Sequence, residues 1–245
     1  MNAINRILQG VTVLGLAGVL SLSMAVKESH AGLGIRIDFG NNGSFETTVQ
    51  DDGLGDLAPG SPGIVVTVDI DASKILVNSG TSKPVTGSAQ FPNIDLTTQY
   101  TTLLGADSVK IQLSDTDFNG GLLSAMKFLE DIGGTFGINA GSSVVVNIYR
   151  DLANTQFGTG AGTLVCSTGT ISQVGLSPQA FLGTCSAGAT VDNQYSITME
   201  AIITHTGKGQ TSYDSNMQAT PEPASMLLLG MGLIGLGTWK RRRAA

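Results

Sequence analysis

Short runs in which every second residue is apolar recur through the middle of this chain, and a backbone with that period buries one face only as a β-strand. Leu33, Ile35, Ile37 and Phe39 alternate with Gly34, Arg36 and Asp38. Ile64, Val66, Val68 and Ile70 read as a second apolar face, and Val109, Ile111 and Leu113 as a third. Val144, Val146 and Ile148 form a fourth, and Tyr195, Ile197, Met199, Ala201 and Ile203 a fifth. Clusters of Gly, Pro, Asn and Asp separate these runs, as turns between antiparallel strands require. The pattern predicts an all-β fold, an antiparallel β-sandwich of jelly-roll type in a single domain over residues 32–205.

Three stretches fit that pattern less well. Leu122, Leu123, Met126 and Leu129 have helical spacing and Gly133-Gly134 would end a helix, yet the segment lies between strands. A short helix and an irregular strand both stand over residues 121–132. Residues 41–62, with Asp51-Asp52-Gly53 and Pro59-Gly60-Ser61-Pro62, read as a long surface loop. Residues 206–220 are polar and read as a flexible stalk.

The two extremities are of another kind. Arg6 precedes a mostly apolar run over residues 7–26, and Ser29-His30-Ala31 offers the small-x-small pattern of a signal-peptidase site, with cleavage after Ala31. At the other end Pro221-Glu222-Pro223 precedes residues 224–239, which carry no charge, and Lys240-Arg241-Arg242-Arg243 follows. As a helix those sixteen residues would span roughly 24 Å, short of a ~30 Å hydrocarbon layer by an amount that snorkelling Lys240 and Arg241 can cover. Trp239 stands where an indole anchors among headgroups, and the cation block belongs on the cytoplasmic side. The signal-peptide helix and this transmembrane helix would place everything between them outside the inner membrane.

The order Pro-Glu-Pro, glycine-rich apolar run, Trp, basic cluster resembles the PEP-CTERM sorting signal, whose processing partner is an exosortase. The resemblance covers residues 221–245. It implies export by a Gram-negative bacterium, transient anchoring in the inner membrane, cleavage near Pro221, and release to the cell surface or an exopolysaccharide-rich extracellular matrix. Asp115 and its neighbours, with Tyr149-Arg150-Asp151 through Phe157, are similar to domains found ahead of such tails, which implies only a β-sandwich.

Between the ends, residues 32–217 hold seven Lys and Arg against seventeen Asp and Glu, a formal charge of −10. Such a domain repels nucleic acid and anionic lipid, so neither is expected as a partner. Cys166 and Cys185 are the only cysteines, and outside the cytoplasm they are expected to form a structural disulfide rather than free thiols. His205 is the one histidine left after removal of His30, and no Gly-x-Ser-x-Gly elbow occurs, so no enzyme activity and no cofactor are expected. Asp115, Asp117 and Asn119 repeat the alternating oxygens that open a calcium loop, followed by Gly120, but Met126 stands where a bidentate Glu is needed. Asp51, Asp52 and Asp56, or Asp69 and Asp71, could complete such a site through space; the other reading is a turn held by Asx hydrogen bonds. The expected function is a non-catalytic matrix or surface protein, the alternatives being a calcium-dependent carbohydrate-binding module and, more distantly, a hydrolase.

Overall fold

The computed structural model describes residues 32–120, 125–138, 141–191, 193–221 and 230–231. The expected leader with its cleavage point at Ala31, residues 121–124, and the expected membrane helix apart from residues 230–231 lie outside these. The chain divides into two units, Met1–His30 and Ala31–Ala245, and the sandwich belongs to the second.

Among the described residues there are thirteen strands, every pair antiparallel. In chain order they are β1 (Gly34–Phe39), β2 (Thr47–Gln50), β3 (Ile64–Ile70), β4 (Lys74–Thr81), β5 (Asn93–Thr102), β6 (Asp107–Asn119) and β7 (Ala125–Phe136). The rest are β8 (Ser143–Asp151), β9 (Leu164–Ser167), β10 (Ile171–Ser172), β11 (Gln179–Thr190), β12 (Gln194–His205) and β13 (Gly209–Pro221). One sheet has the order β10-β8-β12-β6-β1-β2, with β9 also on β8, and the other the order β11-β7-β13-β5-β4-β3. Their inner faces enclose one core, in which Ile35, Ile111, Met199 and Val146 of the first sheet are buried with Leu76, Leu96, Phe128 and Met217 of the second.

Three expectations need correction, and one open alternative is decided. Residues 206–220 are no stalk: β13 runs from Gly209 to Pro221 between β5 and β7, so the domain ends at Pro221 and not at residue 205. The segment looked soluble because its inward positions are mostly small or polar, Thr211, Tyr213, Ser215, Met217 and Ala219, all buried. The described part of residues 121–132 is strand, and Gly133 and Gly134 lie inside β7. A Cβ at Gly134 would stand 2.6 Å from Phe181 Cζ, so this glycine marks close packing rather than a helix end. The loop of residues 41–62 contains β2, paired with β1. In β3 the inward residues are Val65 and Thr67, while Val68 and Ile70 face out at 44% and 67% exposure. Thr67 is tolerated inside because its hydroxyl accepts from Asn78 Nδ2 at 3.1 Å.

Both ends of the sandwich leave from one pole. The amide of Ala219, near the end of β13, donates to Pro92 O at 2.9 Å, and that of Asn119, at the end of β6, donates to Ala89 O at 2.8 Å. One short loop therefore holds the two strand ends together. Gly34, the first residue of β1, pairs with Ser114 on the same half of β6.

Candidate functional site

Asp115, Asp117 and Asn119, singled out as calcium ligands, lie along the end of β6 and its bulge, and the carboxylates of Asp115 and Asp117 turn to different partners. Asp115 is inward-facing and fully buried; its Oδ2 accepts from Lys83 Nζ at 2.9 Å and from Ser82 Oγ at 2.5 Å. Burial pushes its carboxyl up, and the Lys83 charge opposes this. Asp117 has a left-handed backbone, φ 62°, and clasps Asn154: its amide donates to Asn154 Oδ1 at 2.9 Å and its Oδ1 accepts from Asn154 Nδ2 at 2.8 Å. These contacts tie β6 to two loops and leave Asp115 turned toward a lysine.

Three other carboxylates do come together. Asp51, Asp52 and Asp56 each place a ligand oxygen within 4.8 Å of the others. Asp56 also organises its loop, accepting from the amides of Ala58 at 2.9 Å, Val66 at 3.0 Å and Asp52 at 3.0 Å. Asp51 accepts from the Gly63 amide at 2.7 Å, and its Oδ1 is buried with no partner. Burial raises its carboxyl, as do the neighbouring charges of Asp52 and Asp56. Asp71 instead caps its own turn through Ser73 and Lys74.

A more extended constellation lies on the outer face of the first sheet, where sequence reading placed only solvent-facing alternates. Register lines up Thr48, Arg36, Gln112, Glu200, Asn147 and Ser167 as one row across β2, β1, β6, β12, β8 and β9. Glu200, 6% exposed, is its centre: the carboxylate accepts from Gln112 Nε2 at 2.6 Å, Asn147 Nδ2 at 3.1 Å and the Tyr149 hydroxyl at 3.1 Å. Arg36 Nε donates to Gln112 Oε1 at 2.5 Å. Its guanidinium carbon lies 3.8 Å from the ring centre of Phe45 and 4.7 Å from that of Phe157. Burial pushes the Tyr149 hydroxyl up to about 12, reinforced by Glu200, and lowers Arg36 against the opposing effect of the same carboxylate. The row is a polar, aromatic-flanked platform suited to hydrogen-bonding hydroxyl groups. The sequence signal was the alternation itself, Arg36, Gln112, Asn147 and Glu200 being the polar partners of apolar faces already recognised.

A cleft of about 550 Å³ opens where the sheets part at their β9 and β11 edges, lined by Arg150, Ala125, Leu164, Gly188, Ala189 and Thr190 among others. Cys166 on β9 and Cys185 on β11 are joined beside it, with Cα atoms 5.8 Å apart. The cysteines face each other across the two sheets, not on neighbouring strands of one sheet. His205 is structural in its setting: Nδ1 is 3.0 Å from Thr102 Oγ1, Nε2 is 2.8 Å from Thr211 Oγ1, and the ring stacks on Tyr100 at 5.1 Å. Burial lowers its pKa to about 4, partly countered by Asp107.

Pro221 closes β13, and its partner in the ladder is Met126 of β7. The other residues of the expected processing signal, Glu222, Pro223, Trp239, Lys240, Arg241, Arg242 and Arg243, lie outside the described residues. Residues 219–243 match the family pattern described as the PEP-CTERM protein-sorting motif. The chain carries a PEP-CTERM sorting signal. It is thereby marked as an exported protein, processed at the membrane by an exosortase. Among the described residues no helix is long and apolar enough to cross a membrane.

No curated protein matches the chain significantly in sequence. Solved structures similar in fold to this chain include TmCBM61 in complex with β-1,4-galactotriose, at 9% identity over 59% of this chain and 88% of that one, TM-score 0.32. The K1 cleaved adhesin domain of Lys-gingipain from Porphyromonas gingivalis W83 matches at 8% identity over 64% of this chain and 99% of that one, TM-score 0.28. The CBM22-1 xylan-binding domain of Paenibacillus barcinonensis Xyn10C matches at 10% identity over 69% of this chain and 87% of that one, TM-score 0.25.

Proposed function

We propose that this chain is a cell-surface or extracellular-matrix protein, delivered by its PEP-CTERM signal, whose sandwich acts as a non-catalytic structural or adhesive element. The observation that carries the reading is continuity: the sorting motif at residues 219–243 begins inside β13, with no spacer between the folded domain and the processing signal. The single histidine of residues 32–221, buried and held between two threonines, supports a non-catalytic role. The test is fractionation of an exosortase-containing host expressing the full chain and a variant with Glu222→Ala and Pro223→Ala. The wild type is expected outside the cell, shortened at the C-terminus, and the variant unshortened in the membrane fraction. Identical size and distribution of the two would overturn the reading.

A second reading, glycan binding by the sandwich, is favoured by the row centred on Glu200, where carboxylate, amide, guanidinium and phenol groups share one face beside Phe45 and Phe157. Such groups pair with sugar hydroxyls while aromatic rings take the apolar face of a pyranose. On a glycan array, Asn147→Ala is expected to lower the signal about tenfold, the loss of one or two hydrogen bonds. Loss of signal on chelation would instead assign binding to the Asp51, Asp52 and Asp56 loop and a calcium ion.

A further inference from the structure

Of the seven cations in residues 32–221, Lys74, Lys83 and Lys110 are in ion pairs and Arg36 is held by Gln112 and two aromatic rings. Lys127 and Lys208 are exposed. Arg150 differs from all of them. It is partly buried, it lines the cleft between β9 and β11, and among the described residues no carboxylate lies within ion-pair distance. Its Nη1 donates to Thr190 O, while Nε is buried with no partner and Nη2 makes no hydrogen bond among the described residues. The anchored Nη1 fixes the guanidinium and Nε is enclosed, so Nη2 is the donor left for a charge-assisted hydrogen bond to a carboxylate entering the cleft. The neighbouring Tyr195 hydroxyl is also buried and unpartnered, and the Arg150 charge acts upon it.

The walls suit a hydroxylated body attached to that carboxylate. Ala125, Gly188 and Ala189 leave room for approach to the backbone, and Leu164, 53% exposed, offers an apolar surface to the C–H face of a sugar ring. Strands β9 and β11 are sheet edges, so each presents backbone groups that no further strand uses. Lys127, directly across the ladder from Gly188, is exposed on the outer face of β7 and leaves Arg150 as the cation lining the cleft. We propose that this cleft binds an acidic saccharide, a uronate unit whose carboxylate is received by Arg150. The reading of the chain as a matrix protein supplies only the source of such a ligand; a sorting failure would appear in fractionation and leave binding unchanged, and a binding failure would leave sorting intact.

The test is calorimetric titration of the full chain in detergent with trigalacturonate, with its methyl ester, and with a tripeptide bearing a free C-terminus. Saturable binding of the acid is expected, at least tenfold weaker for the ester and weakened by added salt. Arg150→Ala is expected to weaken binding tenfold or more, with Arg150→Lys in between. Because Arg150 is partly buried, a second variant on an exposed side chain guards against loss of fold: Leu164→Glu, which sets a competing carboxylate at the mouth, is expected to abolish binding with an unchanged melting temperature. Equal affinity for acid and ester, indifference to both substitutions, tighter binding of the peptide, or no binding of the acid at millimolar concentration would each overturn the proposal.

Discussion

Glu130 sits on the inner face of β7, fully buried, with Oε1 accepting from Ser215 Oγ and Oε2 without a partner. Burial pushes its carboxyl from 4.5 up to about 8, only partly offset by the Ser215 bond. A carboxyl raised in the folded state favours folding while it is protonated, so its stabilising effect is complete below about 4.5 and is lost as pH rises through 8. His205 works in the opposite direction: with its pKa lowered from 6.5 to about 4, stability is full above 6.5 and falls as pH drops through 4. The melting temperature is therefore expected to decline on both the acid and the alkaline side. Glu130→Gln, which keeps the shape and removes the charge, is expected to flatten the alkaline decline and to raise unfolding free energy at pH 8 by roughly 2 kcal/mol. Urea unfolding at pH 5 and pH 8 measures this; an equal effect of the substitution at both pH values would count against a titrating Glu130.

At the scale of the element, the strands legible in the sequence were those whose inner residues are large and apolar. Ile35 and Ile37 in β1, Val109 to Leu113 in β6, and Ile197 to Ile203 in β12 all line the core as their alternation requires. β13 was illegible because burial is achieved there with Thr211, Ser215 and Ala219, residues equally at home in a loop. The same physics hid the face of β3, where Thr67 is buried only because Asn78 waits for it eleven residues later. The candidate sites were less legible still. Asp115 has the sequence spacing of a ligand but is paired with Lys83, thirty-two residues earlier, and the Glu200 row exists only through the register of six strands. A strand with neighbours on both sides cannot be dispensed with. Truncation after Lys208 is expected to abolish cooperative unfolding, whereas ending the chain at Pro221 retains it; a sharp thermal transition in the shorter chain would contradict the position of β13.

For the whole molecule, the Cys166–Cys185 bridge ties the edges of the two sheets across a separation of 19 residues. In the chain-entropy account, closing a loop of that size stabilises by about 3 kcal/mol. The Cys166→Ala, Cys185→Ala double variant is expected to lose about that much in denaturant unfolding, and reductant is expected to lower the wild-type midpoint without affecting the variant. The bridge also joins the β9 and β11 edges beside the cleft.

The shared pole of Gly34 and Pro221 bears on how export proceeds. A β-domain whose entry and exit lie at opposite tips would have to stretch its own length to stay moored at two points of a bilayer. Here Gly34 and Pro221 leave from the same tip, so in the proposed export route tethers at both ends would put no stretch across the sandwich as it closes. In that proposed route, trimming at either end would free a finished body instead of starting its assembly.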